Sequence, residues 1–132
     1  MTQTGAQAKD LVVLTLPASS AYLSVLRTAT AGLAARLDFT LDEIEDLRIA
    51  VDEACAMLLA DAAPGAELIC RFELEPSMIC VAVTVRSRQG LVPARDTFAW
   101  TVLSALAGEV DATSDEARNT TICLAKRKGE AP

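Results

Sequence analysis

The stretch LRIAVDEACAMLLADAAPGAEL (residues 47–68) carries an acid in an unusual setting. At helical spacing Leu47, Val51, Cys55 and Leu58 form one apolar stripe, while Glu53 points the opposite way beside Ile49, Ala50 and Met57. A single carboxylate in a weak apolar strip suits three roles: a general base, the remnant of one, or a solvated charge. Arg27, in VLRTATA, lies next to Leu26 at the border of another stripe, where a guanidinium is either held out for carboxylates or simply solvated. The cysteines, Cys55, Cys70, Cys80 and Cys123, form no C-x-x-C pair and sit in apolar runs, so four buried, reduced thiols are expected. Strand alternation turns Cys70 and Cys80 to opposite faces. The chain has no His, which removes Ser-His-Asp and Cys-His catalysis and most zinc chemistry.

These residues need a scaffold, and the composition supplies one. With 132 residues and 52% hydrophobic content, the chain is expected to fold as one domain over 1–132, with frayed ends at about 1–9 and 128–132. No apolar run is long enough to cross a bilayer, and MTQTGAQAKD lacks the pattern of a secretion signal. A cytoplasmic protein with no membrane contact is expected. The net charge of −6 repels phosphate backbones, so direct nucleic-acid binding is not expected, whereas basic protein surfaces would be attracted.

LVVLTLPA (11–18) reads as a strand ended near Pro17. Ser19 or Ser20 can cap a helix to about Leu37, with Tyr22, Leu26, Ala29, Leu33 and Leu37 as its stripe. Thr40 and Glu43 form a capping-box signature for a second helix that runs to about Ala62, before Pro64-Gly65. Strands at 67–75 and 77–87 follow, then a polar loop (88–97). A helix in FAWTVLSALAGEV turns Trp100, Leu103 and Leu106 or Ala107 inward. DATSDEARN is a loop or weak strand, and TTICLAKRK a closing strand. The order β-α-α-β-β-α-β predicts an α+β two-layer sandwich, a mainly antiparallel sheet with helices on one face.

Three pieces, VLRTATAGLAARLDFTLDEIEDLRIAVDEAC, the hairpin ending in VTVRS, and TTICLAKR, together resemble the anti-sigma-factor serine kinases of the RsbW/SpoIIAB type. The resemblance covers roughly residues 11–127 and implies a GHKL (Bergerat) ATPase fold. In that family the second helix supplies a Glu base and, four residues on, an Asn that ligates Mg²⁺. Glu53 matches the Glu, but the Asn position is Met57, a poor ligand for a hard cation. The family's Asp-x-Gly-x-Gly turn aligns with SRQGL: Ser87 stands for the Asp, and Gln89 and Leu91 for the glycines. A lid that closes with Gly-x-Gly is reduced to GLVPARD, with Thr97 and Ala99 at the glycine positions.

The resemblance therefore implies an anti-sigma factor that sequesters an alternative, stress- or development-type sigma factor by direct binding. With these substitutions it is expected to be no enzyme: a pseudokinase without cofactor or metal, in which Glu53 is vestigial. Release would come from a STAS-domain anti-anti-sigma protein, Arg27 would contact the partner, and a homodimer is expected. The alternative is an active RsbW-like serine/threonine kinase that phosphorylates the STAS-domain protein. A third reading is an unrelated α+β protein that binds an apolar ligand beside Glu53.

Overall fold

A computed structural model describes residues 10–129. The chain runs β1 (Asp10–Pro17), a single 3-10 turn (Ser20–Tyr22), α1 (Leu23–Arg36), α2 (Leu41–Leu59), β2 (Glu67–Glu75), β3 (Met78–Arg86), α3 (Phe98–Ala107), β4 (Glu109–Ser114) and β5 (Asn119–Arg127). The strands form one antiparallel sheet in the order β1-β2-β3-β5-β4. The helices pack on one face, α2 lying between α1 and α3 and over β3 and β5. This is the expected two-layer α+β sandwich, with one more strand than the expected order.

Alternation decides the strand faces. Leu68, Cys70, Phe72 and Leu74 of β2 and Ile79, Val81, Val83 and Val85 of β3 are buried beneath the helices, with Ile122 and Leu124 of β5. Intervening residues face away from the helices, and Leu11, Val13 and Ile69 are exposed there. Thr40 caps α2 as expected: its hydroxyl accepts from the Glu43 amide at 3.1 Å, and Glu43 accepts from the Thr40 amide at 2.8 Å. The Thr40 amide, followed by the Gly129 amide, holds the Glu43 carboxyl below its ordinary value.

Several expectations are corrected. The buried side of α1 is Leu23, Leu26, Thr30 and Ala34, whereas Tyr22 is exposed. Thr30 disguised that stripe; its hydroxyl is satisfied within the helix by the Leu26 carbonyl at 2.8 Å, so burial leaves no polar group unpaired. Helix α2 stops at Leu59, short of Ala62, because Ala62 already pairs with Ser87 in an isolated bridge. Helix α3 ends at Ala107 because Gly108 takes φ 95°, and the chain turns straight into β4, a regular edge strand. Cys55 and Cys70 are buried as expected, but Cys80 is half-buried and Cys123 exposed, both on the helix-free face. Burial pushes the Cys70 thiol up to about 12 and the Cys55 thiol higher still. The ends expected to fray lie outside the described residues, apart from Lys128 and Gly129, whose amides donate to the Ser77 carbonyl and to Glu43.

Candidate functional site

Helix α2 presents two flanks. Asp52 faces α1, where its two carboxylate oxygens accept from Arg27 Nε at 2.9 and 2.7 Å. Arg27 is thus held by its own chain, about 40% exposed, rather than projecting freely. Glu53 is one residue, or 100°, further round. Asp46, two turns before Glu53 on the same flank, approaches Lys126 of β5 at 3.7 Å, so Glu53 and Met57 share the side of α2 that looks toward β5 and α3. Lys126 also donates to the Leu106 carbonyl at 2.9 Å and so ties the C-terminus of α3 to this flank.

Glu53 is half-buried, and no hydrogen bond or ion pair with a described residue holds it. Met57, one turn on, packs partly buried against the core. A thioether in apolar contact does not fit a hard divalent cation, which takes oxygen ligands. Among the described residues, the better-formed clefts are lined by side chains other than Glu53 and Met57.

Ser87 ends up buried just past β3. Its hydroxyl accepts from the Gly90 amide at 2.8 Å, pairs with Thr120 Oγ1 at 3.1 Å and reaches the Arg118 carbonyl at 3.2 Å. It is spent on its own turn rather than turned toward a base. Gln89 is exposed, with its amide on the Asp61 carboxylate at 3.2 Å. Thr97 caps α3, its Oγ1 accepting from the Trp100 amide at 3.1 Å, and Ala99 is half-buried in the first turn. Arg95 pins the loop between β3 and α3: it donates to Asp111 at 2.6 Å and lies 4.9 Å from the centre of the Trp100 ring. The structure therefore joins Gln89 to the segment after α2 through Asp61 and Ser87 to it through the bridge with Ala62, and leaves Arg27 on a different flank of that helix from Glu53. Sequence reasoning missed Asp52 and Arg95. An Arg followed at a distance by an Asp carries no pairing signal until the helices are packed.

No family model matches the chain. A region of 104 residues, 79% of the chain, is 33% identical to the anti-sigma-F factor RsbW of Mycobacterium tuberculosis and covers 62% of that protein. Over that stretch the chain is similar to the RsbW anti-sigma factors. The serine-protein kinase RsbW of Bacillus subtilis is 46% identical over 46 residues, 35% of this chain and 29% of the relative. That of Bacillus pumilus is 39% identical over 56 residues, 42% and 35% of the two chains. The chain thus spans between about a third and just under two thirds of the length of these relatives. The fold matches a structure holding the RsbU and RsbW domains of a Mycobacterium tuberculosis protein, with a TM-score of 0.74 and 18% identity, over 92% of this chain and 33% of that one.

The kinase names carried by the Bacillus relatives overturn the expectation that the chain is no enzyme. That expectation gave the substitutions at Met57 and Ser87 too much weight. Mg²⁺ keeps several waters and is held largely by substrate phosphates, so one lost side-chain ligand does not by itself decide activity. Among the described residues no helix is long and apolar enough to cross a membrane.

Proposed function

We propose that this chain is an RsbW-type anti-sigma factor that holds a sigma factor by direct protein contact and also acts as a serine kinase toward a STAS-domain anti-anti-sigma protein. The observation that carries the reading is the 33% identity over 104 residues to an anti-sigma-F factor, reinforced by the relatives named as serine-protein kinases. Arg27 is assigned to the partner surface. Its pairing with Asp52 fixes the guanidinium at the crevice between α1 and α2 and leaves its Nη groups outside that contact. Glu53 is assigned as the base, since it is the carboxylate at the family's position and no described residue engages it. Met57, a thioether, does not fit as a Mg²⁺ ligand. A homodimer belongs to the same proposal, with the helix-free sheet face and its exposed Leu11, Val13 and Ile69 as the ground for it.

Labelled phosphate from Mg-ATP should pass to a STAS-domain substrate, and Glu53→Gln should abolish the transfer. Equal transfer by the variant would remove Glu53 from the role. No transfer to any of several STAS-domain substrates would remove the kinase half.

A further inference from the structure

Three arginines border one cleft at the end of the sheet where α2 gives way to β2. Arg86 closes β3, Arg88 follows in the turn, and Arg118 projects from the turn between β4 and β5. With Ala63, Pro64, Ser87 and Ala117 they line a space of about 380 Å³ that has no carboxylate in its wall. Arg27, Arg48, Arg95 and Arg127 each face an acid within 4 Å, whereas none of these three guanidiniums is ion-paired with a described residue. In a chain of net charge −6, three guanidiniums on one cleft are a local concentration of positive charge, with Asp61 and Asp115 on the adjoining turns.

The backbone builds the cluster firmly. The Ser87 amide donates to the Arg118 carbonyl at 2.8 Å, the Arg118 Nη1 to the Arg88 carbonyl at 2.7 Å, and the Arg88 amide to the Asp61 carbonyl at 2.8 Å. Arg118 takes φ 68°, a left-handed conformation that is uncommon for a residue other than glycine. Opposite it, Gly90 leaves the room its stem needs: a Cβ there would sit 3.1 Å from Arg118 Cγ. A strained backbone and a missing Cβ thus bring Arg118 against Arg88.

We propose that this cleft is a binding site for one phosphoryl group, free or carried by a small phosphomonoester. Planar guanidiniums give parallel N–H donors that match tetrahedral oxyanions, and three of them on one cleft favour a dianion. Long polyanions are repelled by the rest of the surface. Neither Glu53 nor Met57 lines the cleft, and Ser87, which does, has its hydroxyl already engaged by its own turn.

Calorimetric titration of the full chain with inorganic phosphate and with glycerol 3-phosphate, against potassium chloride at matched ionic strength, tests this. A saturable heat is expected, weakened about tenfold by Arg88→Gln and by Arg118→Asn, since Asn tolerates the left-handed backbone. The tighter of the two ligands identifies the source. In the unaltered chain, phosphate should shift the amide resonances of residues 86–88 and 117–118 first. No saturable heat up to about 10 mM of either ligand, unchanged affinity in both folded variants, or resonance shifts confined to other regions would each overturn the proposal.

Discussion

The Thr40–Glu43 pair is the clearest case of a single residue acting as its type demands. Two helix amides that would otherwise lack partners are satisfied reciprocally, so Thr40→Ala should cost about 1 kcal/mol in denaturant unfolding. Because the folded Glu43 carboxyl is held below its ordinary 4.5, its contribution is present above that pH and is lost as pH falls through the depressed folded value. The margin of the native chain over Glu43→Gln should therefore shrink steadily in thermal melts below pH 4.5. The cysteines divide in the same local way. Cys123, exposed, should react with a thiol reagent in the folded chain. Burial and the acids Asp111 and Glu73 raise the Cys123 thiol as well, so access decides, and Cys55 and Cys70, buried, should react only on unfolding. Sequence alone could not separate Cys70 from Cys123, because both alternate within apolar strands; only the side of the sheet that the helices cover does so.

At the scale of elements, most of the fold was legible. The stripe of α2 and the alternation of β2 and β3 are strong periodic signals, and the structure keeps them residue for residue. Phe72, fully buried, lies beneath the helices, and Phe72→Ala should cost about 3–5 kcal/mol. Less legible was whatever depended on partners distant in sequence. The face of α1 was misjudged because Thr30 is buried by bonding its own helix, and β4 was obscured because EVDATS is short and offers only Val110 and Ala112 as apolar positions. The loop between β3 and α3 gave no sign of its anchor. Arg95→Ala should release it, raising amide exchange across 91–96 and altering Trp100 fluorescence, while the midpoint of global unfolding moves little.

For the whole molecule, the candidate site was legible by position but not by arrangement. Glu53, Met57 and Ser87 could be placed on their elements from the sequence, yet the diversion of the Ser87 hydroxyl into its own turn and the capture of Arg27 by Asp52 required the packed chain. The Arg27–Asp52 pair, only partly exposed, is a fixed feature on the helical layer of an otherwise acidic molecule. The central claim is that this surface binds a sigma factor. Its most direct test is affinity capture with the tagged chain from a lysate of the cells that encode it, quantified by mass spectrometry beside Arg27→Glu. The account predicts that a sigma subunit of RNA polymerase is enriched on the native chain and reduced several-fold on the variant. Capture in which no sigma subunit is enriched would contradict it.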